Sequence, residues 1–278
     1  MPVTETELSE LKEKAKEIRK DIIDTTVAAG GAHIGGALSM VEIMTILYHK
    51  YLNIRPDHPQ WEDRDRVVVS KGHAGVGIAP VLAGKGYFPK DALSTFNQFQ
   101  SRFGMHLDSL KVDGVDVSTG SLGHGLPIAL GMALGARLQK KEWKTYCILG
   151  DGECNEGSIW EAAMAATHFK VTNMITFVDR NRLMIDGATE EVMGVEPFCD
   201  KWRAFGFIVK EINGHDFAEL GQAIDFALNQ DGSPVVIICN TIKGKGVSFM
   251  ENEVKWHYGS MNSTLADQAK ADVEAGLN

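Results

Sequence analysis

The sequence predicts an α/β fold with three αβα layers and a mainly parallel central sheet. Short, continuously apolar runs such as 146–149 and 234–239 alternate with longer segments of helical periodicity. Strands that are buried on both faces of a parallel sheet have that composition. The 278 residues are 44% hydrophobic, which is enough to form one full-sized core. We therefore predict a single domain over residues 1–278.

The individual elements follow from periodicity and turn residues. Thr4 and Glu7 have the spacing of a capping box, and apolar residues at spacings of three and four follow them. This first helix should end at the Gly30-Gly31 pair. The remaining predicted elements are helix 40–51, strand 66–70, helices 74–86 and 90–99, an irregular glycine-rich segment 101–125, helix 126–139, strand 146–149, a helix that begins near 156, strands 174–178 and 207–212, helix 216–229, strand 234–239 and helix 263–275.

Composition excludes several classes of protein. The net charge is −9 with acidic and basic residues mixed along the chain, so no basic face for nucleic acid is expected. The four cysteines have no CxxC spacing, which argues against a zinc site or a disulfide framework and favours a reducing compartment. We find no apolar signal core and no uninterrupted apolar stretch of about 18 residues. We therefore expect a cytoplasmic protein without a membrane span.

Segment 150–181 carries the strongest chemical signal in the chain. Asp151 lies in a Gly-Asp-Gly turn after one strand, and Asn181 follows the next strand after an intervening helix. Such a βαβ unit places both residues at the carboxyl ends of parallel strands. A carboxylate and an amide oxygen there suit a hard divalent cation. The N-terminus of the helix that begins near Glu156 suits an anion such as a diphosphate.

This pattern resembles the thiamine diphosphate motif, in which GDG is followed by Asn after a helix and a strand. Five further segments resemble, in the same order, motifs in the diphosphate-binding N-terminal half of transketolases. They are AHIG at 32–35, similar to SGHPG; RDRVVVSKGH at 64–73, similar to RDRFVLSNGH; GMH at 104–106, where the family has a Gly-His-Pro segment; STGSLGHG at 118–125, similar to TTGPLGQG; and TIKGKG at 241–246, similar to TIGKG and followed by Trp256-His257. The resemblance covers residues 8 to 260, approximately, and implies the thiamine diphosphate-binding fold.

The resemblance also implies roles for individual residues. Asp151, Asn181 and the backbone carbonyl of Leu183 would bind a divalent cation, either Mg²⁺, Ca²⁺ or Mn²⁺, that bridges the diphosphate. His33, His106 and His257 would be catalytic and would face the substrate hydroxyls, where imidazole can move protons near neutral pH. The positions that would contact thiamine diphosphate are His73, Gly120, Ser121, Leu122, Asp151, Gly152, Glu156, Asn181 and His257.

Other positions have two interpretations or depart from the family pattern. Glu156 and Glu161 would lie at a subunit contact, or else would favour the helix dipole as acidic residues near its start. Ser121 and His124 replace the usual Pro and Gln, and no Pro follows His106. Arg180 stands where many thiamine enzymes have a first Asn.

The resemblance further implies an enzyme made of two chains. Transketolases need a second domain, which binds the pyrimidine and supplies a glutamate that activates the cofactor, and we find no second α/β run to host it. We expect that domain on a C-terminal transketolase subunit, in an α2β2 assembly. The expected reaction transfers a two-carbon ketol unit from a ketose, by default a sugar phosphate, to an aldose.

Three alternatives stay open from the sequence. The GGAHIG segment at 30–35 is slightly closer to a 1-deoxyxylulose-5-phosphate synthase, whereas segment 118–125 and His257 favour a transketolase. A 2-oxo-acid dehydrogenase subunit is also a split thiamine chain, but SKGH at 70–73 is not its pattern. A non-catalytic regulatory paralogue is disfavoured because all four motif histidines are retained. The sequence does not identify the donor and acceptor sugars.

Overall fold

The computed structural model describes residues 3–276 and contains a five-stranded sheet in which all neighbouring strands are parallel. The strand order is β1-β2-β3-β5-β4. The strands are β1 (Arg66–Val69), β2 (Thr145–Gly150), β3 (Met174–Arg180), β4 (Ile208–Asn213) and β5 (Val235–Asn240). Residues 1–2 and 277–278 of the predicted domain lie outside the described residues.

Helices cover both faces of this sheet. The α-helices of the described chain are α1 (Glu5–Ala28), α2 (Ile34–Ser39), α3 (Val41–Ile46), α4 (Gly75–Lys85), α5 (Gly125–Leu138), α6 (Gly157–His168), α7 (Thr189–Val192), α8 (Phe198–Ala204), α9 (Phe217–Leu228) and α10 (Ser263–Ala275). A π-helical turn covers Leu47–Tyr51, and 3₁₀ turns cover Gly72–Ala74, Lys90–Thr95, Gly152–Asn155 and Val254–His257.

The two sheet faces pack into separate hydrophobic cores. Tyr146 and Ile148 of β2 face the core that α1–α4, α9 and α10 cover. Cys147 and Leu149 of the same strand face the core beneath α5, α6 and α8. Alternate residues of each central strand thus enter opposite cores, as the pleat of a strand requires. This arrangement confirms the predicted three-layer α/β fold with a parallel central sheet.

Most predicted elements are confirmed. The first helix has the expected capping box, since Thr4 Oγ1 accepts from the Glu7 amide and Glu7 Oε2 accepts from the Thr4 amide. The five strands and the helices predicted near 74–86, 126–139, 216–229 and 263–275 are present within two residues of their predicted bounds. In the described chain no helix is long and apolar enough to cross a membrane.

One element prediction was wrong, and one helix was missed. The helix predicted at 40–51 is present as α3 followed directly by the π-helical turn, whereas α2 precedes it in a segment for which no helix was predicted. The helix predicted at 90–99 is instead a 3₁₀ turn that ends at Thr95, and the backbone is extended at Phe96.

The helix expected near Glu156 does begin there, at Gly157, but the turn Gly152–Asn155 separates it from Asp151. The amide groups nearest to Asp151 therefore belong to a 3₁₀ turn rather than to the first turn of α6.

Candidate active site

The carboxyl ends of four adjacent strands bring the candidate residues together. β1 leads into Lys71 and His73, β2 into Asp151, β3 into Asn181, and β5 into the loop that carries Lys243. Open parallel sheets place ligand sites at this edge, because the loops that leave neighbouring strands converge there. The site is therefore assembled from segments that are far apart in sequence.

The three residues predicted to bind a cation lie along the ends of β2 and β3. Asp151 is only 2% exposed. Its Oδ1 accepts from the Gly152 amide at 2.9 Å, and its Oδ2 accepts from the Arg182 amide at 2.8 Å. Asn181 Oδ1 accepts from the amide of Leu183 at 3.2 Å. Burial and the neighbouring Asp179 raise the pKa of Asp151 to about 6, so a positive charge placed beside this carboxylate would be stabilising.

A buried ion pair that the sequence did not predict lies behind these residues. Asp179 accepts hydrogen bonds from Lys71, Thr241 and Ser39, the last at 2.6 Å. The Asn181 amide nitrogen also donates to Asp179 at 3.0 Å. Burial acts to raise the pKa of Asp179, but the Lys71 charge and these hydrogen bonds outweigh it and lower the pKa. Asp179 thus stays ionised and joins the ends of β1, β3 and β5.

Three of the predicted histidines form one cluster. The ring centroids of His33 and His73 are 5.1 Å apart, those of His73 and His257 are 5.4 Å apart, and those of His33 and His257 are 5.5 Å apart. The chain reaches this arrangement because Ala32 and Gly259 exchange two backbone hydrogen bonds of 3.0 Å. At these distances the three imidazole rings are in mutual contact and form one polar cluster.

All three clustered histidines are neutral near pH 7. Burial is the main cause in each case, and neighbouring positive charges add to it. The pKa of His73 falls to about 2 and that of His257 to about 3, and the pKa of His33 is also lowered. Neutral imidazoles can accept a proton or a hydrogen bond from a hydroxyl, which suits the predicted task.

The fourth motif histidine lies at the rim. His106 is exposed, and a Cβ built on Gly120 would lie 3.4 Å from its Cδ2. The preceding residue, Met105, places its Sδ 3.3 Å from His33 Nδ1. Segment 104–106 therefore connects the glycine loop with the histidine cluster.

The other predicted contacts lie on the surface. Gly120, Ser121 and Leu122 are exposed, as are Glu156 and Glu161. Glu156 is the N-cap residue of α6, and its side chain packs beside Gly123. These positions are accessible to a ligand or to a second chain.

Lys243 was missed as a site residue, although it lies in one of the matched motifs. Its Nζ donates to the carbonyl of Leu183 and to His257 Nδ1, both at 2.9 Å. Since an ammonium group can only donate, His257 carries its own proton on Nε2. Burial and the charge of Lys71 lower the pKa of Lys243 to about 8, against the opposing effect of Asp179 and Asp151. Lys243 thus contacts both a predicted cation ligand and a predicted catalytic residue.

Glu153 was also missed. Its Oε1 accepts from the Gly123 amide at 2.9 Å and from the Ser70 hydroxyl, and its Oε2 accepts from the Gly150 amide at 3.0 Å. The carboxylate is 3% exposed, and burial raises its pKa. A single side chain therefore fixes three loops of the site relative to one another. We call this contact set the Glu153 junction.

Arg180, the departure noted in the sequence, is a buried cation at the end of β3. Its Nη1 lies 3.3 Å from Asp151 Oδ2, and its Nη2 donates to Glu196 Oε1 at 2.5 Å. The guanidinium carbon also lies 4.8 Å from the centre of the Phe198 ring. Arg180 therefore compensates the Asp151 charge and links it to the start of α8.

The residues present fit a divalent cation held together with a phosphorylated ligand. Among residues 3–276, no three His, Cys, Asp or Glu side chains are arranged to hold a metal ion. The oxygens of Asp151, Asn181 and Leu183 form a set with one carboxylate, and Mg²⁺ commonly completes such a set with phosphate oxygens and waters. Lys71 and Lys243 add positive charge beside it. Gly152, the second glycine of the GDG turn, is packed closely against Met184, since a Cβ built on it would lie 2.9 Å from Met184 Cγ.

Comparison with known proteins gives a consistent result. A family model described as the thiamine diphosphate-binding domain of transketolase matches residues 11–276. The chain is 41% identical to the 6-deoxy-6-sulfo-D-fructose transketolase subunit SqwG of Clostridium sp. (strain MSTE9), over 95% of this chain and 96% of that protein. It is 39% identical to one subunit of the apulose-4-phosphate transketolase of Phocaeicola vulgatus, over 95% of this chain and 93% of that protein.

Longer transketolases match over less than half their length. The chain is 34% identical to human transketolase over 96% of this chain but only 42% of the human protein. The crystal structure of the Campylobacter jejuni transketolase superposes with a TM-score of 0.90 at 30% identity, over 96% of this chain and 43% of that one. The chain therefore spans less than half the length of these solved and human proteins, and nearly the full length of the two subunits.

Proposed function

Because this chain belongs to the transketolase family, in the part that binds thiamine diphosphate, we propose that it is the N-terminal subunit of a two-chain transketolase. With a C-terminal subunit that carries the pyrimidine-binding domain, it transfers a two-carbon ketol unit from a ketose to an aldose. The observation that carries this proposal is the near-complete match to two proteins named as transketolase subunits. Two copies of each chain form the proposed assembly, because a cofactor held between unlike domains favours a symmetric arrangement.

The proposed cofactor contacts are the residues that the family motifs imply. Asp151, Asn181 and the Leu183 carbonyl hold the cation, for which we propose Mg²⁺. Lys243, whose ammonium group donates to that carbonyl, would supply positive charge next to the cation and the diphosphate. The remaining proposed contacts with the cofactor are His73, Gly120, Ser121, Leu122, Gly152, Glu156 and His257.

The chemistry is divided between the cofactor and the protein. Thiamine diphosphate, when bound, supplies the carbon nucleophile and the electron sink for breaking and forming the carbon–carbon bond. His33, His106 and His257 bind the sugar hydroxyls and exchange protons with them. The lowered pKa of His33 keeps its ring neutral and able to accept a proton. His257 donates through Nε2, because Lys243 occupies its Nδ1.

The test is reconstitution of ketol transfer. The chain is coexpressed with the candidate C-terminal partner from the neighbouring gene and assayed with thiamine diphosphate and Mg²⁺, and each chain is also assayed alone. The ketose panel includes xylulose 5-phosphate, fructose 6-phosphate, 6-deoxy-6-sulfofructose and apulose 4-phosphate. Transfer is expected only in the mixture. Asp151→Ala should lower it at least ~100-fold, since a lost ligand affects both affinity and activity.

Asp200→Ala is the matched control. Asp200 is an exposed aspartate on α8 that pairs with Arg203 one turn away, at 2.7 Å, so its loss should leave activity unchanged. Full transfer by this chain alone would contradict the two-chain proposal. Cofactor binding without transfer from any ketose would contradict ketol transfer, and 2-oxo acids would then be tested as donors.

A further inference from the structure

A buried polar network lies outside the candidate site, on the far side of the loop that carries Lys243. The guanidinium of Arg19 on α1 pairs with both oxygens of Glu42 on α3, at 2.7 and 3.0 Å. His215, in the loop between β4 and α9, lies with its Nδ1 2.9 Å from Glu42 Oε2. The three side chains are between 8% and 11% exposed. We call them the Glu42 network.

The Glu42 network holds the Lys243 loop at two points. The backbone amide of Ile242 donates to His215 Nε2 at 2.9 Å. Arg19 Nε donates to the carbonyl of Lys245 at 3.1 Å. Since His215 Nε2 must accept, its proton resides on Nδ1 and is donated to Glu42. Every polar atom of the imidazole ring is thus used to join the loop to Glu42.

The two anchor points bracket Lys243. Between them the backbone turns sharply, with Gly244 at φ +78° and packed so closely that a Cβ would lie 2.4 Å from the Met250 carbonyl oxygen. At the other end of the side chain, Lys243 Nζ donates to Leu183 and His257 at 2.9 Å. A fixed backbone favours both contacts, because ordering a long lysine side chain costs conformational entropy that a mobile loop would increase.

We propose that Arg19, Glu42 and His215 are positioning residues that fix the Lys243 loop and thereby set the place of the Lys243 ammonium group in the cofactor site. This inference rests on the proposed function of that site. Arg19, Glu42 and His215 do not themselves contact the residues that are proposed to bind the cofactor. Their effect passes through the backbone of residues 242–245, as outer partners of a binding site act by orienting the groups in front of them.

Two substitutions of one residue separate positioning from general stability. In His215→Gln the amide oxygen takes the approximate place of Nε2, so an acceptor for the Ile242 amide remains. In His215→Asn the amide nitrogen takes the approximate place of Nδ1, so the bond to Glu42 can remain while the Ile242 amide loses its acceptor. Both variants carry the same carboxamide group, and each keeps one of the two contacts of the imidazole ring. They should therefore lower the melting temperature of the chain by similar amounts.

Hydrogen exchange followed by mass spectrometry measures the local stability of the loop directly, in the purified chain. Amide exchange in the peptide covering 241–247 should be at least ~10-fold faster in His215→Asn than in wild type, because a freed amide exchanges through local opening. It should remain close to wild type in His215→Gln. Equal exchange in the two variants would overturn the inference. Arg19→Lys is a second variant should His215→Asn fail to fold, since lysine cannot hold both Glu42 and the Lys245 carbonyl.

The second readout is the affinity for thiamine diphosphate with Mg²⁺, titrated calorimetrically in the assembled two-chain protein. The dissociation constant should rise ~10- to 100-fold in His215→Asn and less than ~3-fold in His215→Gln. An equal rise in both variants would contradict the positioning role. If the wild-type assembly binds no thiamine diphosphate, the proposed function fails instead, and the exchange result still decides whether the network fixes the loop.

Discussion

At the scale of single residues, the site depends on a few buried charges that have fixed partners. Asp179 is held by Lys71 and Glu153 by backbone amides, so neither is free to move into the proposed cofactor space. Buried carboxylates are tolerated only when such partners are present. The partners are also specific for an ionised carboxylate, which has acceptors only. This specificity makes the role of Glu153 testable with a nearly isosteric change.

Glu153→Gln should weaken the hydrogen bonds that join the loops of the site, while the glutamine side chain still fills the same volume. One of the two carboxylate oxygens becomes an NH₂ group, which must face the amide of either Gly123 or Gly150. A donor opposite a donor loses a charge-assisted hydrogen bond and leaves a buried group unpaired, at a cost of about 2–3 kcal/mol. We expect a reduced free energy of unfolding in urea, and weaker thiamine diphosphate binding in the assembled enzyme.

Glu142→Gln is the control for this change, because Glu142 is exposed in the loop before β2, at the opposite end of that strand. It should leave both quantities within error of wild type. A Glu153→Gln protein as stable as wild type would show that the carboxylate is not needed to join the three loops.

The sequence predicted those site residues whose chemistry is visible in a local motif. Asp151, Asn181 and the four histidines lie in matched segments, and the structure brings Asp151, Asn181 and three of those histidines to one sheet edge. Their roles stay predictions. Asp179 and Glu153 lie in the same segments but were not assigned roles, because their partners Lys71, Ser70 and Gly123 come from distant parts of the chain.

At the scale of secondary-structure elements, the helices that cover one sheet face are joined by the Glu42 network. Arg19 belongs to α1 and Glu42 to α3, and the pair between them is almost fully buried. Burial acts to raise the pKa of Glu42, but the Arg19 charge and the hydrogen bonds from His215 and Arg19 lower it to about 2. The contact between α1 and α3 therefore depends on an ionised carboxylate.

The stability contributed by Glu42 should depend on pH. Its pKa is about 2 in the folded chain and 4.5 ordinarily, so the folded state favours the ionised form. The contribution is fully present above pH 4.5 and is lost as the pH falls towards 2. Glu42→Gln should lower the free energy of unfolding by about 3 kcal/mol at pH 7, because it leaves Arg19 buried without its counter-charge. The difference between variant and wild type should shrink at pH 3.

Urea denaturation at pH 7 and pH 3 measures this difference, with Glu274→Gln as control. Glu274 is an exposed acid on α10 that pairs with Lys20, and such surface pairs contribute little to stability. Its substitution should have no measurable effect at pH 7. A difference for Glu42→Gln that is the same at both pH values would contradict the assigned ionisation.

Element prediction succeeded where one periodicity dominates a segment. The strands are short and are followed by turn residues, four of them are largely apolar, and all five were located. Helix α2 was missed because it contains Gly35 and Gly36, which disfavour helix by propensity. In the structure Gly35 is required by close packing, since a Cβ would lie 2.6 Å from the Trp256 carbonyl oxygen. Tertiary contact thus overrides local preference there, and no local pattern signals it.

At the scale of the whole molecule, the candidate site is open along the carboxyl edge of the sheet. Large apolar side chains are exposed in the segments that connect the elements at this edge: Leu122, Ile185, Val192 at the end of α7, Met193 and Tyr258. These loops also hold one another, as when Asn155 donates to the Met193 carbonyl at 3.3 Å. Apolar side chains gathered around a site mark a surface that another protein covers. The proposed C-terminal subunit must reach this edge to complete the cofactor site.

Ile185→Glu should therefore weaken assembly without unfolding the chain. Ile185 is 60% exposed, so a charge there is solvated in the free chain and desolvated only when the partner covers it. We expect the dissociation constant of the complex to rise at least ~10-fold, because an unpaired buried charge at an interface is strongly unfavourable. Light scattering after size-exclusion chromatography of the mixed chains measures the loss.

Leu138→Glu is the matched control for this prediction, with an exposed aliphatic residue replaced by the same acid. Leu138 is 85% exposed and ends α5, whereas Gly125 at the start of that helix contacts Ser70 beside the site. A helix of 14 residues is about 21 Å long, so Leu138 lies near the opposite edge of the sheet. Its substitution should leave assembly intact. If Leu138→Glu blocks assembly and Ile185→Glu does not, the partner binds away from the site, and the cofactor cannot lie between the two chains as proposed.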